Sequence, residues 1–202
     1  MMLIHYSLPT RADLPAEKVA WPLVSSRAAL LVHDVQLHFI KGYERSFIDP
    51  VLKNIAHIIE WAHANEVPVF YSAQGIQDDP VKRGLLTDMW GAGLTDPSLV
   101  PIAPEVAFPD HPHTFIEKKR YSAFMYTNFE EELAKLGKDQ LIITGVFANI
   151  GCLATATDAF MRDMETFFVA DAAADFDREQ HWAAMDRQAK HVGRILLTED
   201  FS

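Results

Sequence analysis

The stretch Gln140 to Met164, QLIITGVFANIGCLATATDAFMRDM, decides how the rest of the chain is read. It opens with a short apolar run, Leu141 to Val146, of the length and β-branched content of a strand buried on both faces, as in parallel sheets. The chain then turns through Phe147, Ala148, Asn149 and Ile150 and enters a helix at about Gly151. Leu153, Ala156, Ala159 and Phe160 mark the dry side of that helix, and Asp158, Arg162 and Asp163 the wet side. A helix that follows a buried strand aims its free N–H groups at whatever lies beyond the strand's carboxyl end. Open α/β sheets bind ligands there, and anions are favoured. Cys152, the only cysteine, stands on this corner.

Working outward, five further strands flank this one. They are Arg27 to His33, Val67 to Ser72, Thr114 to Glu117, Thr166 to Ala170 and Arg194 to Thr198. Between them the apolar spacing predicts a helix over Ser46 to Glu66, with Asp49 as N-cap and Pro50 in the first turn. A second opens at Asn128, with Glu131 completing a capping box, carries Phe129, Leu133 and Leu136, and stops at Gly137. A third is capped by Asp177 with Gln180, presents Trp182, Met185 and Ala189, and closes at Gly193. Strands alternating with helices predict a three-layer α/β/α fold around a six-stranded, mostly parallel, doubly wound sheet. Residues 1 to 26, with three prolines, are expected to wrap the outside. The stretch with Pro97, Pro101, Pro104, Pro109 and Pro112 is expected to be a loop with a binding or lid role. With no linker, repeat or low-complexity tract, residues 1 to 202 read as one domain.

Bulk properties narrow the function. The formal net charge is −10, with 18 Lys and Arg against 28 Asp and Glu. Nucleic acid and anionic membrane draw on basic patches, so neither is an expected partner. No apolar stretch approaches the ~20 residues of a membrane span, and the N-terminus carries no signal-peptide pattern. One cysteine precludes an internal disulfide and is compatible with a reducing compartment, so a cytoplasmic protein is expected.

In a parallel sheet the carboxyl ends of the strands share one edge. Asp34, Gln74, Lys118 and the corner at Asn149 to Cys152 each follow a strand. Four segments thus deliver an acid, an amide, an ammonium and a helix start to one crevice. Singly, each has an ordinary explanation: Asp as a cap, Lys as a solvated charge, Cys as a small apolar residue. His33 reads as a packed core histidine on the other side of its strand. Asp171 and Asp175, flanking three alanines after the fifth strand, read as turn or cap residues. Trp90, in a glycine-bearing segment, fits either core filling or a pocket wall. The histidines at His111 and His113 lack partners at metal-ligand spacing, and no metal or cofactor is expected.

Longer motifs add a resemblance. ALLVHDVQLHF (Ala29 to Phe39), YSAQ (Tyr71 to Gln74), RGLLTDMWGAGL (Arg83 to Leu94), KKRYSAF (Lys118 to Phe124), ITGVFANIGCLATATDAFMRD (Ile143 to Asp163) and VADAAADF (Val169 to Phe176) occur in order along the chain. Together they resemble the isochorismatase branch of the isochorismatase-like hydrolases. The resemblance implies a cis peptide bond near Val146 and Phe147, and a homodimer or larger homo-oligomer. It also implies that the nucleophilic cysteine of the related amidases falls in register at Gly151. Cys152 lies one residue on, about 100° round a helix.

A chain with glycine in that slot is expected to cleave a vinyl ether without a nucleophile. The implied reaction is hydrolysis of isochorismate, a dicarboxylate, to pyruvate and 2,3-dihydro-2,3-dihydroxybenzoate. Asp34 would serve as the acid with Lys118 beside it. Gln74, Arg83, Trp90, Phe147 and Gly151 would bind substrate, and the missing side chain at Gly151 would leave room for the ring. Phe147 and Asn149 stand where the branch usually has Tyr and His; Leu37 and His38 replace its usual Asp and Tyr. The alternatives are the same reaction on 2-amino-2-deoxyisochorismate, a cysteine amidase acting through Cys152, and a non-catalytic binding protein. The chain ends at Ser202, soon after the sixth strand, so free small molecules rather than carrier-bound ones are the expected substrates.

Overall fold

A computed structural model describes residues 5–202. The strands are β1 (Ala28–His33), β2 (Val69–Ala73), β3 (Thr114–Glu117), β4 (Gln140–Val146), β5 (Glu165–Ala174) and β6 (Arg194–Leu196). The helices are α1 (Leu37–Ile40), α2 (Arg45–Ala64), α3 (Pro80–Arg83), α4 (Leu86–Trp90), α5 (Phe129–Lys135), α6 (Leu153–Phe160) and α7 (Arg178–His191). The strands form one six-stranded sheet in the order β3-β2-β1-β4-β5-β6, parallel throughout. The order reverses between β1 and β4, so a crevice opens beyond their carboxyl ends.

Strand β1 shows why the fold has three layers. All six of its residues are buried, but they alternate between two cores. Leu30 and Val32 join Val51, Ile55 and Ile58 of α2 on one face. Ala29 and Leu31 join Phe129 of α5, Ala156 of α6 and Met185 of α7 on the other. Burying a side chain such as Ile55 stabilises the fold by roughly 1.5–3 kcal/mol, and the sheet is the wall common to both cores.

Element boundaries depart from the sequence reading in several places. Helix α2 starts at Arg45 behind Glu44, so Asp49 is not its cap and Pro50 lies inside it. The bond Pro50 cannot donate would have gone to Ser46, whose residue is exposed and open to water. At α5 no side-chain cap bond comes from Asn128. Thr127 Oγ accepts the Phe129 N–H instead, at 3.2 Å. Leu136 is half exposed just past the helix end. Strand β4 leads through Phe147 into a π-helical turn, Ala148–Cys152, and α6 proper begins only at Leu153. The buried face of this segment is Cys152, Thr155, Ala156 and Ala159, while Phe160 is exposed.

Strand β5 extends through Asp171, which is therefore a strand residue. Its carboxylate accepts from Thr198 N and Oγ1 at 2.8 and 3.0 Å, tying down the turn Thr198–Asp200 that follows a shortened β6. The proline-rich segment is a strut. Pro101 O and Val100 O accept from Leu37 N and Gln36 Nε2, and Ala103 N donates to Val35 O. None of residues 97–112 lines the cavity described below, so the lid expectation gives way to a bracing one. Within residues 1 to 26, Tyr6 is buried and its hydroxyl meets His181 Nδ1 at 2.9 Å, a deeper anchorage than an outer wrap requires.

Candidate active site

The crevice holds a cavity of about 340 Å³. All seven residues expected there, Asp34, Gln74, Arg83, Trp90, Lys118, Phe147 and Gly151, line it. Asp34 leaves the end of β1 with φ +50°, a left-handed conformation that is uncommon outside glycine and is stored mainly at functional positions. Its Oδ2 lies 2.6 Å from Lys118 Nζ, which also donates to Arg120 O at 3.0 Å. Its Oδ1 accepts from Ser72 Oγ at 2.7 Å. Both members of the ion pair are buried. Burial alone would raise the Asp34 pKa, but Lys118, His33 and Ser72 outweigh it and hold the carboxyl below its ordinary value.

His33 belongs to the site rather than to the anonymous core. Its Nδ1 is 3.9 Å from Asp34 Oδ2. Nδ1 meets Val146 O at 2.9 Å and Nε2 meets Tyr121 O at 3.2 Å. Burial pushes its imidazole pKa down against the upward pull of Asp34. The ring also occupies the place a side chain at Gly151 would need: a Cβ there would sit 2.2 Å from His33 Cε1. The expectation that Gly151 leaves room for a substrate ring is therefore corrected. Protein fills that space, and the glycine is required by His33.

Aromatic residues line the same cavity. Phe147 stacks on Phe176 at 4.2 Å between centroids, and Trp90 stacks on Phe176 at 5.8 Å. Trp90 Nε1 donates to the Tyr121 hydroxyl at 2.7 Å, so Trp90 is a pocket wall and not core filling. Gln74 is placed through its backbone, since Gln36 Oε1 accepts its N–H at 2.7 Å and Gln36 Nε2 donates to its carbonyl at 2.9 Å. Arg83, at the end of α3, is buried with its Nε donating to Gly91 O at 2.9 Å. The Val146–Phe147 peptide bond is cis, as the resemblance implies.

The turn after β4 is held from β5. Asp175 is buried and accepts the N–H groups of Asn149 at 2.5 Å and Phe176 at 2.8 Å. Its pKa is pushed up to about 6, chiefly by burial. It is a structural acid behind the site, more than the turn residue expected. Cys152 is fully buried in the core with its thiol pKa raised well above the ordinary value by burial, and it does not line the cavity.

Sequence reasoning gave no site role to Ser72, Tyr121 and Phe176, at strand ends or in the loops after them, nor to His38 on α1 and Lys41 just past it. The register gave a signal for one: Ser72 pairs with His33, the residue before Asp34.

The family model for the isochorismatase domain matches residues 28–200. Enterobactin synthase component B of Escherichia coli K12 is 43% identical over 198 residues, covering 96% of this chain and 69% of that protein. The phenazine biosynthesis protein PhzD of Pseudomonas fluorescens is 39% identical over 202 residues, covering 98% and 96%. Among solved structures, a cysteine hydrolase from Pseudomonas syringae pv. phaseolicola 1448A superposes with a TM-score of 0.82 at 22% identity, covering 92% of this chain and 94% of that one. This last likeness concerns the fold alone.

Proposed function

The chain belongs to the isochorismatase family, and from that premise we propose that it hydrolyses the enolpyruvyl vinyl ether of isochorismate by acid catalysis without a covalent nucleophile. The observation that carries the reading is a buried carboxyl, Asp34, paired with Lys118 on the cavity lining, while the only thiol is sealed in the core.

The chemistry needs little more. Asp34, once protonated, gives its proton to the methylene carbon, leaving an oxocarbenium ion stabilised by the ether oxygen. Water adds to the neighbouring carbon, the one bearing the ether oxygen and the carboxylate, and returns a proton, and the hemiketal collapses to pyruvate and 2,3-dihydro-2,3-dihydroxybenzoate. Positioned proton transfer of this kind contributes about 10²–10⁴ in rate. In the free protein Lys118 favours the carboxylate form of Asp34. A dianionic substrate beside the pair opposes Lys118 and favours uptake of the proton the reaction uses. Arg83, Gln74 and the backbone near Gly151 supply donors to the substrate carboxylates, while Trp90 and Phe147 flank the ring.

Purified protein given isochorismate should release pyruvate, and Asp34→Asn should lower kcat by about 10²–10⁴ with its circular dichroism unchanged. No pyruvate from the wild type would sink the reading. Pyruvate only from 2-amino-2-deoxyisochorismate would move the substrate by one ring substituent. One relative is named for enterobactin synthesis and another for phenazine biosynthesis, which supports a role for this protein in siderophore or phenazine biosynthesis. We assign the protein to the cytoplasm as a homodimer or larger homo-oligomer. Exposed Val81, Leu85, Met89 and Phe115 provide apolar surface for such an interface, and no described helix is long and apolar enough to cross a membrane. Sedimentation equilibrium giving a monomer mass would remove the oligomer.

A further inference from the structure

The cavity lining is electrically unlike the rest of the chain. Acids outnumber Lys and Arg by 28 to 18 overall, yet the lining contains one acid, Asp34, against Lys41, Arg83 and Lys118, with His33 and His38 besides. Lys118 is taken up by Asp34. Arg83 has no carboxylate within 4.0 Å among the described residues, although it is buried. Its guanidinium is held by Gly91 O and lies against Gly93, where φ is +75° and a Cβ would come within 2.5 Å of Cζ. A buried cation fixed this firmly, with its remaining N–H groups unclaimed by protein, fits an anion better than it fits a packing role.

Two neighbours from the first helix complete the arrangement. His38, on α1, has a buried Nδ1 with no hydrogen-bond partner. Lys41, just past that helix, is exposed on the cavity lining and has no carboxylate within 4.0 Å among the described residues, although Asp96 lies near enough to feel its charge. The charged groups acting on His38 are Lys41 from its own segment and Arg83 from α3, and Phe39 packs edge-on against its ring. Burial first, and then the two cations, lower the imidazole pKa in the free protein.

We propose that His38, Lys41 and Arg83 form a second anion subsite, apart from the Asp34–Lys118 pair, that receives the ring carboxylate of the substrate. It rests on the reading of the substrate as a dicarboxylate. The enolpyruvyl end must face Asp34 for proton transfer, so the other carboxylate is directed to the remaining cations. An anion there offsets the two cations and accepts from the imidazole, so binding takes up a proton at His38. The occupied subsite then has three donors around one carboxylate.

Chorismate has the same two carboxylates on the same ring frame and serves as the probe, by isothermal titration in buffers of different ionisation heat. Lys41→Met and His38→Phe should each weaken chorismate binding and raise KM for isochorismate by about 10-fold, the 1.4 kcal/mol of one charge-assisted bond. Their kcat should stay within about 3-fold, because proton transfer lies elsewhere. Wild-type binding should tighten as pH falls through the imidazole range with measurable proton uptake, and His38→Phe should remove the imidazole-range part of both, leaving only uptake at Asp34. Both positions are partly or fully exposed, so melting temperatures near wild type are expected and serve as the folding check. Unchanged chorismate affinity in both variants, or identical proton uptake in His38→Phe, would overturn the subsite. A wild type that binds chorismate in this pattern but releases no pyruvate from isochorismate would overturn the hydrolase reading while leaving the subsite standing.

Discussion

At the scale of single residues, the buried Asp34–Lys118 pair couples chemistry to stability. The Asp34 pKa is lowered in the folded state. Its contribution is therefore present above the unfolded value of about 4 and is lost as pH falls through the lower folded value. Lys118→Met strands a buried carboxylate, and urea denaturation at pH 7 should show a loss of roughly 3–5 kcal/mol. Gly151 and His33 are joined sterically. Gly151→Ala sets a methyl 2.2 Å from His33 Cε1, an overpacking that should cost about 1–3 kcal/mol, and His33→Ala in the same chain should recover part of it. Denaturation midpoints of the two single variants and the double variant check this. Cys152→Ala should retain full pyruvate release, since the thiol is buried away from the cavity. A loss of more than about tenfold in kcat with a normal fold would revive the thiol mechanism.

At the scale of elements, the turn from β4 into α6 depends on β5. Asp175 carries a pKa raised to about 6, mainly by burial. The folded state therefore binds its proton more tightly than the unfolded state does between about pH 4 and 6. Stability attributable to this carboxyl falls as pH rises through that window, by at most roughly 3 kcal/mol. The difference between wild-type and Asp175→Asn stability curves should show this slope, and parallel curves from pH 4 to 7 would refute it. Strand existence was legible because each strand is a compact apolar run bounded by polar or turn residues. Strand and helix ends were not. Thr127 rather than Asn128 meets the first N–H of α5, and β5 continues past Ala170 because Asp171 finds Thr198 across the sheet edge. The first is a choice between adjacent hydroxyl and amide side chains, and the second depends on a partner 27 residues away.

At the scale of the molecule, two cores share one sheet. Ile55→Ala on the α2 side and Phe129→Ala on the α5 side should cost about 2–5 and 3–5 kcal/mol. The residues belong to separate cores, so the double variant should be additive to within about 0.5 kcal/mol, as read by chemical denaturation. The order of strands and helices, and the delivery of Asp34, Gln74, Lys118 and the Gly151 corner to one edge, came from the chain alone. Short continuous apolar runs mark strands buried on both faces, period-3.6 patterns mark the helix faces laid on them, and the right-handed crossover leaves few ways to assemble them. The opening stretch Gln140 to Met164 already held the strand, the turn and the glycine. Only the tertiary structure decided what that glycine is for. His33, 118 positions earlier in the chain, fills the volume above it, and Asp175 holds the turn from the next strand. Local pattern determines which faces are apolar, but sterics and electrostatics between distant residues exist only once the chain has closed on itself.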